Sequence, residues 1–311
     1  NIGNWGIFSK EMKKIIKWLL VLLAATGCVF AVRFGVASLA DVPPVSETAN
    51  IAEFSGKNEL LSAEKTAIDL PEDFKAEAAG VFDLSCGCKI LSFKGQNRWP
   101  LASLTKLMTA VVALENIGAD ETIAIGEKAI ATAGSNGGLY IGERFSVSDL
   151  IKAMMVTSSN SAASALADSL PEGGFVRLMN AKAAEIGLTE TSFFEPIGLS
   201  VLNQSTVDDV LKLAGYIREK QPIIFETSRR MRETITEKKT NKTRTLININ
   251  SFAGRPDFLG GKTGYTEEAE GNLLSIFRTT KGIAFFVVFG AANRFDETEK
   301  LLKQINGFGS D

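Results

Sequence analysis

The sequence predicts an α+β domain whose antiparallel sheet receives strands from both ends of the folded region. Near the start of that region, two short apolar segments, "AAGVFDL" at 78–84 and "CKILSFK" at 88–94, are separated by a turn and indicate a strand pair. A long block of helical periodicity follows, and three apolar strands lie close to the end of the chain. The C-terminal strands are therefore expected to complete the sheet that the first pair begins.

The chain opens with a segment that is typical of bacterial export signals. Met12 begins a lysine-rich stretch that runs into an uncharged apolar run, so we expect translation to start there and residues 1–11 to be upstream sequence. Residues 12–40 are predicted to be a signal peptide or membrane anchor, with three alternative fates: cleavage after Ala40, retention in the membrane, or lipidation of Cys28. Each fate exports the rest of the chain to the cell envelope, and an uncleaved segment would attach it to the membrane.

A polar segment separates this N-terminal part from the folded domain. Residues 41–72 begin with Pro43-Pro44 and show no sustained periodicity, which is typical of a linker. The folded domain is expected to occupy residues 73–311.

Helical periodicity dominates the middle of this domain. Apolar side chains recur at helical spacing in 104–112 and 150–155, and the pattern returns in 173–186 and 206–219. It breaks at "TSSN" and resumes after Ser161, which is expected to cap the next helix. The remaining predicted elements are the strands 257–266, 272–280 and 283–292 and a helix near 296–306.

The composition excludes several classes of function. The net charge is −2 and no basic stripe is interleaved with aromatic residues, so no nucleic-acid partner is expected. The chain contains no histidine, which excludes the Ser/His/Asp triad, the Cys/His pair and every histidine-dependent metal site. Proton transfer near neutral pH must then fall to Lys, Tyr, Asp or Glu. A serine enzyme built from this sequence would need a lysine base.

The cysteines form neither a zinc pattern nor a disulfide framework. Cys86 and Cys88 lie in the predicted hairpin turn, where a bridge would close a very small, strained ring. The pair is therefore interpreted as two small turn residues, with a redox or metal role as the alternative. No metal site and no cofactor is predicted.

Ser103 and Lys106 are the first candidates for chemistry. They are three positions apart at the expected start of a helix, so their side chains would lie on the same face, one turn apart. The N–H of Ser103 would belong to the unpaired first turn and could point at a developing oxyanion. Taken alone, however, such a pair is typical of a capped helix with a solvated lysine.

Two further short motifs follow along the chain. Ser158 and Asn160 are expected in a tight turn between two helices, directly after an apolar face. Lys262 lies on a predicted strand and offers a fixed cation for an anion such as a terminal carboxylate. Gly264, two residues later, would let a backbone approach the strand closely. Each motif alone is ordinary, and an edge lysine often only protects an exposed strand.

Together these residues form the ordered set S-x-x-K, S-x-N and K-T-G, the signature of penicillin-binding proteins and serine β-lactamases. The chain resembles the D-alanyl-D-alanine carboxypeptidases, the low-molecular-mass penicillin-binding proteins, over roughly residues 74–311. The block "MNAKAAEIGLTETSFFEPIGLS" at 179–200 resembles that family as well. The resemblance implies an antiparallel sheet flanked by helices, with an all-helical lobe and the active site in the groove between them.

The resemblance also implies roles for the motif residues. Ser103 would be the acyl-accepting nucleophile and Lys106 the base that takes its proton. Ser158 would relay the proton to the leaving D-alanine. Asn160 would hold Lys106 and the substrate amide.

The remaining implied roles concern substrate binding. Lys262 and Thr263, beside Gly264, would bind the terminal carboxylate of the substrate, and Arg294 matches the position of a carboxylate-binding arginine. The N–H groups of Ser103 and Tyr265 would form the oxyanion hole. The implied reaction is cleavage of the D-Ala-D-Ala end of peptidoglycan stem peptides, with β-lactams as covalent inhibitors and no cofactor.

The sequence departs from the family pattern in one loop. Glu195 and Ile197 stand where carboxypeptidases commonly have Asn and His. Class A β-lactamases have a deacylating glutamate at about this point, so Glu195 is a candidate deacylation base, although Leu199 replaces the asparagine that usually accompanies it. The alternatives to a carboxypeptidase are therefore a β-lactamase, an endopeptidase or transpeptidase acting on the same peptides, and a cell-wall binder without activity.

Overall fold

Residues 68–171 and 173–307 are described by the computed structural model of the chain. The predicted export segment at 12–40 and most of the predicted linker lie outside these residues. Ile68, inside the predicted linker, is buried against the sheet. Among the helices of the described part, none combines the length and the apolar character needed to cross a membrane.

A five-stranded antiparallel sheet forms the centre of the fold, with strand order β2-β1-β11-β10-β9. In the central pair, Val81 on β1 lies opposite Phe286 on β11. The predicted α+β class is confirmed, and the sheet is completed by its C-terminal strands as expected. The strands are β1 (Ala78–Asp83), β2 (Cys88–Phe93), β9 (Phe258–Thr266), β10 (Glu270–Thr279) and β11 (Gly282–Ala291).

The strand β11 is apolar at nearly every position because both faces of the sheet are covered. Phe285 and Val287 point into the core shared with the helical block, whereas Phe286 and Val288 point into a second core on the other face. Strands that are buried on both faces read as continuous apolar runs instead of alternating ones. The run "IAFFVVFGAA" has this origin.

Helices occupy the chain between β2 and β9, and one more follows β11. Six of the described helices lie where the sequence predicts them, whereas the short helices at 127–131 and 223–228 were not predicted. The helices are α1 (Thr105–Asn116), α2 (Glu127–Ala131), α3 (Val147–Thr157), α4 (Asn160–Asp168), α5 (Gly174–Ile186), α6 (Val207–Lys220), α7 (Ile223–Ser228) and α8 (Arg294–Gly307).

Three small two-stranded sheets have no counterpart in the sequence prediction. Their strands are two to five residues long, which is too short to show a clear alternating pattern. The longest is a hairpin that packs on α3. The strand pairs are β3 (Trp99–Pro100) with β6 (Gln204–Ser205), β4 (Thr122–Ala124) with β5 (Arg144–Ser146), and β7 (Arg232–Thr236) with β8 (Thr243–Ile247).

The cap of α4 differs from the prediction. Ser159, and not Ser161, is the capping residue, since its Oγ accepts a hydrogen bond from the N–H of Ala162 at 3.0 Å. The helix begins earlier because Ser158 adopts a left-handed conformation with φ of 55°, which ends α3 and turns the chain at once.

Cys86 and Cys88 form a disulfide, so the interpretation of the pair as two unlinked turn residues is wrong. Gly87 between them has φ of 63°, a conformation that glycine adopts without strain. The turn brings the two Cα atoms to 5.3 Å, within the range that a disulfide spans. The left-handed conformation of Gly87 cannot be seen from the spacing of the two cysteines, which is why the bridge was not expected.

Candidate active site

The nucleophile candidate lies in a tight turn at the start of the central helix. Ser103 occupies the 3-10 helix Ala102–Leu104, directly before α1. Ala102 has φ of 46°, a left-handed conformation that alanine seldom adopts, and such strain is typical of functional sites. The Nζ of Lys106 lies 2.9 Å from the Oγ of Ser103. The structure therefore brings the S-x-x-K pair into direct contact.

Lys106 is fully buried because α1 is enclosed on all sides. Residues 105–113 are all buried, and α3, α4 and α5 pack around the helix. Burial lowers the pKa of Lys106 from 10.5 to about 7, although the negative charge of Glu195 raises it. The Nζ also donates to the carbonyl oxygen of Ile197 at 2.6 Å. A lysine with this pKa is partly neutral near pH 7 and can accept a proton.

Ser158 and Lys262 form a second serine–lysine pair. The left-handed turn after α3 presents Ser158 to β9, where the Nζ of Lys262 lies 2.9 Å from the Oγ of Ser158. The Nζ also donates to the carbonyl oxygen of Thr263 at 2.8 Å. Burial lowers the pKa of Lys262 well below 10.5, and the positive charges of Lys106 and Arg294 lower it further.

The resemblance implied that Asn160 holds Lys106, but no hydrogen bond joins the two side chains among the described residues. The Nδ2 of Asn160 donates to the carbonyl oxygen of Ala133 at 2.6 Å, and its N–H donates to the carbonyl of Ser135 at 2.7 Å. The side chain therefore fastens the loop before β5 to the start of α4. The carbonyl of Ile197 takes the place next to Lys106 that was expected for this amide.

The strand β9 lies directly against the nucleophile turn. A Cβ on Gly264 would come within 3.1 Å of the Ser103 nitrogen, so glycine at this position permits the close approach. Thr263 is buried beside it, whereas the Tyr265 side chain is 64% exposed. This geometry sets the backbone of β9 alongside the nucleophile, where the resemblance expects the oxyanion hole.

Arg294 reaches the same strand from the start of α8. Its Nη1 donates to the carbonyl oxygen of Gly264 at 3.2 Å, while its Nε is buried with no hydrogen-bond partner among the described residues. Burial lowers the pKa of Arg294. Three cationic side chains, those of Lys106, Lys262 and Arg294, therefore converge where an anionic group of a substrate could bind.

Glu195 lies beside this cluster, and its carboxylate already accepts several hydrogen bonds from the chain. It accepts hydrogen bonds from four consecutive backbone N–H groups, those of residues 197–200, and from Asn203 Nδ2. A carboxylate held in this way has little freedom to activate water. The expectation that Glu195 is a deacylation base gains no support from this arrangement.

Two buried asparagines form hydrogen bonds that position the site, and the sequence did not indicate either of them. Asn203 donates to Thr105 and accepts from the N–H groups of Phe194 and Glu195. Asn272 on β10 donates to the carbonyl of Pro100 at 2.7 Å, two residues before the nucleophile turn begins. A lone asparagine in sequence carries no signal of burial, so nothing pointed to either residue.

Comparison with known proteins agrees with the geometry. A family model described as D-alanyl-D-alanine carboxypeptidase matches residues 63–293. The D-alanyl-D-alanine endopeptidase of Escherichia coli is 32% identical over 255 residues, which cover 77% of this chain and 80% of that protein. The D-alanyl-D-alanine carboxypeptidase DacF of Bacillus subtilis is 31% identical over 242 residues, covering 75% of this chain and 61% of that protein.

The fold resembles solved structures of the same kind. Penicillin-binding protein D2 of Listeria monocytogenes, solved with ampicillin bound, superimposes with a TM-score of 0.67 at 28% identity. The match covers 76% of this chain and 99% of that one.

Proposed function

The chain belongs to the D-alanyl-D-alanine carboxypeptidase family of serine peptidases, and from that premise we propose that it cleaves the terminal D-Ala-D-Ala bond of peptidoglycan stem peptides through an acyl-enzyme on Ser103. The observation that carries the proposal is the pair of serine–lysine contacts, each of 2.9 Å, at the junction of the sheet and the helices. A chain without histidine has in these pairs the groups needed to move a proton into and out of the reaction.

Acylation begins with Ser103 and Lys106. The neutral amine of Lys106 takes the hydroxyl proton while Ser103 Oγ attacks the carbonyl carbon of the penultimate D-alanine. A tetrahedral intermediate forms, and its negative oxygen is stabilised by the N–H groups of Ser103 and Tyr265. The pKa of Lys106, about 7, allows the lysine to accept this proton near neutral pH.

Collapse of the intermediate releases D-alanine. The proton on Lys106 passes through Ser158 to the leaving nitrogen as the C–N bond breaks, which leaves an ester on Ser103. The terminal carboxylate is held by Lys262, Arg294 and the hydroxyl of Thr263, as the convergence of the Lys262 and Arg294 side chains at β9 favours. Water then attacks the ester carbonyl while the neutral amine of Lys106 takes its proton, and Lys106 passes that proton to the Ser103 oxygen as the C–O bond breaks.

Ser103→Ala is expected to abolish both D-alanine release from a pentapeptide and covalent labelling by a fluorescent penicillin, because both need the same oxygen. Mass spectrometry follows the two products in one sample. The matched control is Ser251→Ala, which removes an exposed serine from the β8–β9 connection. D-alanine release that persists in Ser103→Ala would contradict the proposal.

An endopeptidase is the second candidate, because the E. coli relative of that name matches at 32% identity. An endopeptidase would cut the D-alanine bond of a peptide crosslink, where the leaving group is a second stem peptide. Incubating the purified enzyme with a pentapeptide and with a crosslinked dimer separates the two activities. Faster release of monomer from the dimer than of D-alanine from the pentapeptide would favour the endopeptidase.

We propose in addition that the protein acts outside the cytoplasm, with residues 12–40 as the export signal or membrane anchor. The lysine-rich, apolar composition of that segment supports export, and peptidoglycan is the matching substrate. Fractionation of cells that produce the full chain tests the location. Recovery of the protein in the soluble cytoplasmic fraction would contradict export, and mass analysis of the N-terminus would show which fate the segment takes.

A further inference from the structure

Glu195 organises the loop that follows it. Its Oε1 accepts from the N–H groups of Gly198 at 2.6 Å, Leu199 at 2.8 Å and Ser200 at 3.2 Å. Its Oε2 accepts from the N–H of Ile197 at 2.6 Å. Four successive backbone donors converge on one carboxylate, so the loop is folded around this side chain.

The same loop is pressed against the catalytic helix. The carbonyl oxygen of Pro196 accepts from Thr109 Oγ1 at 2.5 Å, and that of Ile197 accepts from Lys106 Nζ at 2.6 Å. Gly198 has φ of 94° and lies so close that an added Cβ would come within 3.0 Å of the Ser103 nitrogen. The residues that Glu195 orders are therefore those that touch the base and the nucleophile turn.

We propose that Glu195 is a positioning residue for the base: its carboxylate folds the 195–200 loop so that the Ile197 carbonyl stays on Lys106 Nζ and aims the amine at Ser103. This inference rests on the proposed function and deepens it. It assigns Glu195 a role different from that of a deacylation base, since five hydrogen bonds from the chain already hold its carboxylate in the loop.

The charges around Lys106 give the proposal a measurable signature. The charged groups that act on Lys106 are Glu195 on the loop and Lys262 on β9. Arg294 at the start of α8 acts on Lys262, and Tyr265 on β9 acts on Arg294. Glu195 is the acid of this set, and its negative charge raises the pKa of Lys106 against the effect of burial. Removing that charge should lower the pKa of Lys106 below about 7, so the neutral amine should persist to lower pH.

The test compares Glu195→Gln with Glu237→Gln. Glu237 is the matched control because its carboxylate also accepts from several backbone N–H groups, but in the β7–β8 hairpin turn. The second-order rate of acylation by a fluorescent penicillin is measured against pH, since it reports pKa values of the free enzyme. Thermal unfolding of each variant is recorded alongside.

For Glu195→Gln we expect an acylation rate that is lower by about tenfold at its plateau, because the amide cannot accept the hydrogen bond from Ile197. We also expect the acid limb to move to lower pH by about one unit. Glu237→Gln should leave both the plateau and the limb at the wild-type values. A merely structural role would lower the melting temperature without moving the limb.

Three results would overturn the inference while leaving the proposed function intact. The first is an acid limb that does not move in a folded Glu195→Gln, and the second is an equal shift of that limb in Glu237→Gln. The third is a normal acylation rate in Glu195→Gln with an acyl-enzyme that is no longer hydrolysed. The last result would instead assign Glu195 to deacylation. If Glu195→Gln does not fold, Glu195→Asp keeps the charge but shortens the reach, so its rate should fall while its limb stays in place. A wild-type rate in that variant would contradict positioning. An inactive wild-type enzyme would count against the proposed function itself.

Discussion

The two buried lysines of the site have the same side chain and opposite surroundings. Lys106 lies on α1 in the helical block, 0% exposed, between an accepting carbonyl and the Glu195 charge. Lys262 lies on β9 in the sheet, 1% exposed, with the cations of Lys106 and Arg294 as its charged neighbours. Burial lowers the pKa of both, but Glu195 opposes that effect at Lys106 whereas the neighbours of Lys262 add to it.

This difference separates two tasks that lysine can perform. A pKa near neutrality makes Lys106 suitable for proton transfer, because both protonation states are accessible. The charged neighbours of Lys262 are both cations, so a substrate carboxylate would provide the negative charge that this lysine can pair with. Binding of the anion would raise the pKa of Lys262, because a negative neighbour favours the protonated amine.

Lys106→Met should have the largest effect on activity. The variant keeps the apolar stem and removes the proton acceptor, so the rate of acylation should fall by roughly 10⁴-fold. Stopped-flow measurement with a chromogenic cephalosporin at pH 7 tests it. Acylation within tenfold of the wild type would show that another group serves as the base, and would remove the distinction drawn between the two lysines.

The same variant should unfold at higher temperature. The pKa of Lys106 is about 7 in the folded protein and 10.5 in the unfolded chain. As pH falls, the unfolded chain therefore takes up the proton first and is stabilised by it. Below pH 7 this lowers the stability of the folded wild-type protein by up to about 5 kcal/mol. The lost hydrogen bonds to Ser103 and Ile197 reduce the net gain. The gain should be greatest below pH 7 and vanish above pH 10.5, as calorimetry across that range would show.

Much of this arrangement could be predicted from the sequence. The order of the three motifs, together with the periodicity of the helices, placed Ser103, Lys106, Ser158 and Lys262 on their elements, because these depend on local spacing. The absence of histidine directed attention to lysine as the base. The burial of Lys106 was less evident, since a single lysine in an apolar helix can also reach solvent from one face.

The rest depends on contacts between distant segments. The partner of Asn160 proved to be Ala133, and the carbonyl on Lys106 came from Ile197, which lies 91 positions along the chain. Neither a backbone carbonyl nor its direction is visible in a residue type. The hydrogen bonds of Glu195 likewise require the left-handed conformation of Gly198, which the sequence allows but does not specify.

Lys262→Met tests the other half of the comparison, with a smaller expected effect. Loss of a charge-assisted hydrogen bond to the substrate should lower kcat/KM by roughly 10²-fold for a peptide that ends in a free carboxylate. The matching peptide amide cannot form that ion pair, so its kcat/KM should change much less. Equal losses for the two peptides would mean that Lys262 acts in proton transfer and not as an anion-binding group.

Arg294→Leu should have the smallest effect of the three. Arg294 donates to the Gly264 carbonyl at 3.2 Å and lowers the pKa of Lys262 through its charge. Its removal takes one cation away from the substrate carboxylate. It also raises the pKa of Lys262, which favours the protonated amine that binds the carboxylate, so the two consequences partly offset each other. We expect kcat/KM to fall by about tenfold, mainly through KM, because the carboxylate is held in both ground and transition states.

Arg255→Leu is the control for Arg294→Leu, since Arg255 pairs with Asp257 and Glu299 away from the cationic cluster. That variant should leave KM unchanged. If Arg294→Leu lowered kcat/KM more than Lys262→Met did, Arg294 would be the principal carboxylate ligand. Lys262 would then resemble Lys106 in moving protons, and the contrast between the helical and the sheet side of the site would have to be abandoned.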